Sequence, residues 1–313
     1  MLKLHPFCAA VIEQRREAGL PEFASLPPEG ARQLMAQIMA AAPEPTDLPD
    51  LASVSDEAIA GPHGPIPIRR FVPHGPSKGT IVYFHGGGWV LGDIDTGDAI
   101  CRRWAGWANV TVVSIDYRLA PEYPFPIPLD DCFAGLQWAA KNVGGALFVA
   151  GDSAGGNLAA AAAIRARGEG GPQLAGQIII YGALDTDFET QSYREAGPEG
   201  WMLSGNDMRY FWHHYLSGGA GRDSVLARPL LLDNAAGLPP AFITTGDCDP
   251  LADDNLAYAK MLRDAGIAAE LRVDAGMFHG YYSMTEGAEP AKGAVEATIE
   301  WVTRQLALSG SAA

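Results

Sequence analysis

Basic residues are scarce in this chain: 22 lysines and arginines stand against 37 aspartates and glutamates, a formal net charge of −15. A nucleic-acid backbone or an anionic membrane surface calls for the opposite balance, so neither is expected as a partner. Long apolar runs are missing as well. No stretch reaches the roughly 18 residues that a membrane span requires. The first twenty residues interleave Lys3, His5, Glu13, Arg15, Arg16 and Glu17 with apolar positions. They carry neither the apolar core nor the small-residue cleavage site of a signal peptide, and a cytoplasmic location is expected. Cysteine is sparse: Cys8, Cys101, Cys132 and Cys248 form no ligand-spaced cluster and no disulfide framework. Reduced, packed thiols are the expectation, Cys248 included. Internal repeats and low-complexity tracts are also wanting.

What remains is an ordinary globular composition, 48% hydrophobic and 19% charged over 313 residues. A chain of this length can bury about three-quarters of its unfolded surface, as one large domain or one domain with an appendage. Helical spacing of apolar residues predicts helices over His5 to Ala18 and Pro28 to Ala41, followed by a stiff linker holding Pro43, Pro45 and Pro49. Leu51 to Ala60 and Ile66 to Val72 read as a hairpin at a sheet edge, joined across residues 61–65. From Thr80 onward, apolar runs of strand length (80–84, 110–115, 147–150, 177–181, 241–245, 269–273) alternate with helix formers (96–108, 129–142, 154–167, 251–265, 290–307). That alternation means βαβ units: an α/β protein with a mostly parallel sheet flanked by helices. Residues about 186 to 222 interrupt it with a polar insertion carrying Tyr193, Trp201, Tyr210, Phe211, Trp212 and Tyr215.

The chemistry concentrates at the carboxyl ends of the strands, where open α/β sheets bind ligands. Residues 146–157 run Ala-Leu-Phe-Val-Ala-Gly-Asp-Ser-Ala-Gly-Gly-Asn, a strand passing through glycines into an alanine-rich helix. Gly151-Asp152-Ser153-Ala154-Gly155 fits G-x-S-x-G, the sharp strand-to-helix turn that lifts a serine hydroxyl above a sheet. A serine needs an imidazole to take its proton and a carboxylate to orient that imidazole, in the chain order Ser, acid, His for such a turn. Three histidines follow Ser153. His213 and His214 lie inside a helical stretch of the insertion, whereas His279 sits in a loop just past the run 269–273. His279 is therefore the expected base. Among the acids near the end of 241–245, Asp253 and Asp254 read as a solvated first helical turn. Asp249, ahead of Pro250, projects from the loop and is the expected orienting acid, with Asp247 as the alternative.

An oxyanion also needs donors. His85-Gly86-Gly87-Gly88-Trp89 follows the strand 80–84 directly, and its glycines leave bare N–H groups open to a substrate oxygen. The Ala154 N–H, next after the serine, would complete the set. His85 reads as a brace for this loop. A phosphate-binding loop is disfavoured, because no helix follows at once and no Lys-Ser/Thr pair is present.

Taken together, His85-Gly86-Gly87-Gly88-Trp89, Asp116-Tyr117-Arg118-Leu119-Ala120-Pro121-Glu122, Gly151-Asp152-Ser153-Ala154-Gly155-Gly156, Asp249-Pro250-Leu251 and His279-Gly280 resemble the hormone-sensitive-lipase family of carboxylesterases. These are the bacterial family IV esterases of the α/β-hydrolase fold. The resemblance runs from about residue 50 to the C-terminus, with the motifs in family order. It implies Ser153, Asp249 and His279 as catalytic residues, and Gly87, Gly88 and Ala154 as the oxyanion hole with Gly86 part of that loop. It implies a structural turn at 116–122. It also implies a helical cap built from residues 1–45 and about 186–222, on a catalytic domain spanning 46–313. Trp89, Asp152 and Tyr281 are expected to border the substrate. Gly246-Asp247-Cys248 and Tyr281-Tyr282 depart from the usual family residues (a glutamate and an aromatic at the first place, phenylalanine at the second), which bears on substrate preference rather than on catalysis. The expected reaction is hydrolysis of small esters with short to medium acyl chains, without a metal or organic cofactor. Hydrolases of amides, lactones or carbamates, and non-catalytic ligand binders on the same fold, share parts of this pattern. Relatives often pair through the edge near the last strand, so a homodimer through 269–273 is also expected.

Overall fold

The computed structural model describes residues 2–310, so the extreme ends of the two expected segments, residue 1 and residues 311–313, lie outside the described residues. Eight strands form one sheet: β1 (Ser53–Gly61), β2 (Gly64–Val72), β3 (Gly79–Phe84), β4 (Thr111–Ile115), β5 (Ala146–Asp152), β6 (Gly176–Ile180), β7 (Ala241–Gly246) and β8 (Ala269–Asp274). Their spatial order is β1-β2-β4-β3-β5-β6-β7-β8. The hairpin β1–β2 is antiparallel and joins β4 antiparallel, while every pairing from β4 to β8 is parallel. The hairpin turn is tighter than the sequence suggested, with Gly61 paired to Gly64 so that Pro62 and His63 alone make the bend.

The helices are α1 (Pro6–Glu17), α2 (Pro28–Ala41), α3 (Asp98–Ala108), α4 (Ile127–Asn142), α5 (Ala154–Glu169), α6 (Gln191–Glu195), α7 (Gly205–Tyr215), α8 (Ala252–Asp264) and α9 (Glu289–Gly310). Side chains of successive strand residues point to opposite faces, which divides the core in two. Ile81 and Tyr83 of β3 pack with Ile100 and Trp104 of α3 and Trp301 of α9. Val82 and Phe84 face the other way, toward Leu129 and Phe133 of α4, Leu158 of α5 and Tyr258 of α8. With both faces covered, β3, β4, β6 and β7 are buried at every residue, whereas the edge strands β1 and β8 keep exposed positions. No helix among the described residues is long and apolar enough to cross a membrane.

The N-terminal segment and the insertion meet above the strand ends. The Ala24 amide donates to Asp207 Oδ1 at 2.9 Å, and the rings of Phe23 and Phe211 lie 6.1 Å apart. Arg32 of α2 donates to the carbonyls of Val90 and Ala120 and pairs with Glu122 at 2.6 Å. Ser204 and Asp207 cap α7 reciprocally, each side chain accepting the other's backbone N–H.

Candidate active site

The turn between β5 and α5 leaves Ser153 at φ 56°, ψ −118°, outside the regions an L-residue ordinarily occupies. Such strain persists only where the surroundings enforce it. Here Gly155 lies so close to the chain above it that a Cβ would stand 1.9 Å from the Phe84 carbonyl oxygen. The strand end, the serine and the start of α5 are thereby wedged against the end of β3.

Three side chains then line up across the top of the sheet. Ser153 Oγ lies 2.9 Å from His279 Nε2, and His279 Nδ1 lies 2.8 Å from Asp249 Oδ2. The carboxylate can only accept, so Nδ1 carries the proton toward Asp249 and Nε2 is free to receive the serine hydrogen. Asp249 is wholly buried, and its other oxygen accepts the Leu251 amide at 2.8 Å. Asp247, the alternative acid, is engaged elsewhere: its Oδ1 accepts the Gly276 amide at 2.6 Å and so braces the loop that carries the histidine. Cys248 between them is buried, and burial pushes its thiol up to about 12. It stays a thiol at neutral pH, consistent with packing.

Asp253 and Asp254 are not the solvated helix face that the sequence suggested. Asp254 is buried and accepts the amides of Leu184 and Asp185, while Asp253 accepts the Ser192 amide. Amides of the loop after β6 and of α6 take the place of water at these carboxylates. Burial pushes the Asp254 carboxyl well above the usual range. His213 is exposed and His214 half-buried on α7, with their rings 5.4 Å apart.

The loop after β3 presents Gly86, Gly87 and Gly88 beside the serine turn. Gly87 and Gly88 have φ of 112° and 59°. A Cβ on Gly88 would stand 2.3 Å from the ring of Phe211, so the loop and α7 are in direct contact. His85 is buried, stacks on Tyr117 at 4.3 Å and donates from Nδ1 to the Gly86 carbonyl at 2.7 Å. Burial lowers its imidazole to about 4, so it stays neutral and acts as a brace.

The three residues expected at the substrate lie differently. Trp89 is fully buried, stacked on Tyr215 at 4.3 Å and 4° and close to Trp212 at 4.4 Å. Its indole ties the loop to α7. Tyr281 is fully buried, donating to Asp274 Oδ2 at 2.7 Å and bonded to Thr244 Oγ1 at 2.8 Å. Those contacts tie its hydroxyl to β7 and to the end of β8. Asp152 is half-buried, accepts the Tyr83 hydroxyl at 2.5 Å, and presses on Gly86, where a Cβ would lie 2.4 Å from Oδ2. Two site residues escaped the sequence reading. Tyr181, at φ 37°, lays its ring 4.6 Å from that of His279. Tyr83 holds Asp152. The available signal was an aromatic near the end of each of two apolar strand runs, which is too common to single out.

A serine, an imidazole and a buried carboxylate in one hydrogen-bonded line, beside a glycine loop, form a device for moving a proton off a hydroxyl. With the sheet order and the elbow at β5–α5, the chain belongs to the α/β-hydrolase family, in its hormone-sensitive-lipase-like carboxylesterase branch. The family model for the α/β-hydrolase fold matches residues 81–283. Among relatives, the Mycobacterium tuberculosis carboxylic ester hydrolase LipN is 40% identical over 249 residues, a match covering 74% of this chain but 65% of LipN. The Pseudomonas putida ethyl acetate hydrolase is 31% identical over 326 residues, 97% of this chain and 100% of that protein. Among solved structures, a hyperthermophilic esterase from the archaeon Pyrobaculum calidifontis superposes with a TM-score of 0.88 at 34% identity, over 97% of this chain and 99% of that one.

Proposed function

We propose that the chain is a serine carboxylesterase that hydrolyses small esters through an acyl-enzyme intermediate. The observation that carries the reading is the line Ser153–His279–Asp249, with distances of 2.9 and 2.8 Å. Ser153 Oγ attacks the ester carbonyl as its proton passes to His279 Nε2. The Gly87, Gly88 and Ala154 amides receive the oxyanion, and Asp249 stabilises the imidazolium. His279 then gives its proton to the departing alcohol. Water activated by the same imidazole attacks the acyl-enzyme, releasing the acid and restoring the serine.

The N-terminal helices and α6–α7 act as a cap over the acyl and alcohol sites, and its aromatic filling favours short to medium acyl chains. The relatives named for ethyl acetate and for carboxylic esters support the substrate class. A cleft of about 490 Å³ on the flank of α7, lined by Phe188, Arg209 and Trp212 among others, is separate from the three proposed catalytic residues.

The test is hydrolysis of p-nitrophenyl esters from two to sixteen acyl carbons. Ser153→Ala should lower kcat by about 10⁶-fold. Parent-level turnover in that variant would refute the serine assignment, and a rate maximum at the longest chains would refute the chain-length reading.

A further inference from the structure

Asp152 is spent neither on the proton line nor on a salt bridge. The strained serine turn sends its side chain sideways, under the glycine loop instead of up toward the substrate. There one oxygen takes the Tyr83 hydroxyl at 2.5 Å and the other lies against Gly86; burial raises the carboxyl above its usual range, while the Tyr83 hydroxyl, the facing His279 and the Gly86 amide pull it back toward the charged form. Tyr83 is itself immobilised: a Cβ on Gly97 would stand 2.1 Å from its ring, and Trp104 meets it edge-on at 5.7 Å. The carboxylate is thus a rigid strut between β3, the end of β5 and the proposed oxyanion loop.

Its charge is the second point. Among the described residues, titratable groups that feel or are felt by this carboxylate include Tyr83, Cys101, Tyr117, Tyr181 and His279. Burial pushes the four phenol and thiol groups well above their usual ranges, so they remain neutral. Of these five, His279 is the group that turns positive in turnover. The imidazole itself is faced by Asp249, Ser153, the Tyr181 ring and this carboxylate.

We propose that Asp152 is a positioning residue of the hydrolytic site: through Gly86 and Tyr83 it holds the oxyanion loop, and its charge balances the imidazolium that forms when His279 takes the serine proton. This rests on the serine-esterase reading above. Aspartate suits both tasks, since asparagine keeps the shape without the charge and alanine keeps neither.

The experiment uses the full chain and its Asp152→Asn, Asp152→Ala and Tyr83→Phe variants. Folding is checked by thermal melting and active sites are counted with an organophosphonate. The parameters kcat and KM are then measured on p-nitrophenyl butyrate from pH 5 to 9. Asp152→Asn should label fully and keep KM within about 2-fold, with kcat about 10-fold lower. The acid limb of its kcat/KM should move to lower pH, because a neighbouring negative charge no longer favours the imidazolium. Asp152→Ala should lose about 100-fold in kcat, the scale of a misplaced oxyanion donor. Tyr83→Phe should lose a few-fold in kcat and leave the acid limb in place, since the charge remains. A lowered kcat with an unmoved acid limb in Asp152→Asn would reduce the residue to scaffolding and overturn the proposal, as would parent behaviour in both Asp152 variants. If Asp152→Ala fails to fold, the isosteric Asp152→Asn decides. Failure of the parent itself to react with the phosphonate would instead strike the serine-esterase reading.

Discussion

Asp116 illustrates a carboxylate kept at a cost. Burial, then the neighbouring charges of Asp93 and Asp95, raise it from 3.8 to about 6, against the opposing pull of Arg69. A folded-state value above the unfolded one means that stability is fullest below about 4 and declines as pH rises through about 6. Asp116→Asn should therefore melt higher than the parent at pH 8, by on the order of 2 kcal/mol at most after allowance for partial exposure, and show no gain at pH 4. Paired melts at the two pH values check the sign, and an equal gain at both would exclude the electrostatic explanation. The same scale shows how the sequence can mislead. Asp253 and Asp254 follow a helix-start pattern that ordinarily faces water, yet an amide of α6 and one of the loop after β6 claim them, at 2.9 Å from Ser192 to Asp253 and 2.9 Å from Leu184 to Asp254.

Among elements, α7 and the loop after β3 behave as one packed unit. Gly88 touches Phe211, Trp89 stacks on Tyr215 and leans on Trp212, and the Phe125 amide donates to the Tyr215 carbonyl at 2.8 Å. A helix from the insertion thus presses on the loop whose amides would receive the oxyanion. Trp89→Ala should cost about 3–5 kcal/mol through the cavity it leaves. It should also lower kcat on p-nitrophenyl esters more than it raises KM, because the loop loses its upper support. Denaturant unfolding and steady-state kinetics on the same preparation test both halves, and a destabilised variant with parent kcat would separate the loop from α7. The sequence placed Trp89 beside the glycines and offered no means of seeing its partners, since an aromatic next to a site reads equally as pocket wall or as core.

At the scale of the molecule, the N-terminal segment is tied down by ion pairs as well as by apolar contact. Arg103 of α3 is 1% exposed and its charge is met by Asp47 at 2.6 Å, which also accepts the Thr285 hydroxyl. Removing the carboxylate strands a buried cation, so Asp47→Ala should destabilise by about 3 kcal/mol in a denaturant titration, whereas the exposed pair Arg16–Glu13 should be nearly neutral. Much was legible beforehand. Strand and helix periods, the glycine turns, and the positions of Ser153, Asp249 and His279 follow from local rules that act over a few residues. Chain order and loop position favoured His279 over His213 and His214 as the proposed base, and its Nε2 lies 2.9 Å from Ser153 Oγ. Which residues carry the support was decided only in three dimensions. Whether Trp89, Asp152 and Tyr281 meet substrate or core depends on what packs against them, and those partners include Tyr215, Tyr83 and Thr244, set by how the sheet orders its strands and where the insertion returns. A linear pattern fixes the type and direction of a side chain. Its burial, charge and partner arise from segments distant along the chain, and only their packing brings them within hydrogen-bond reach.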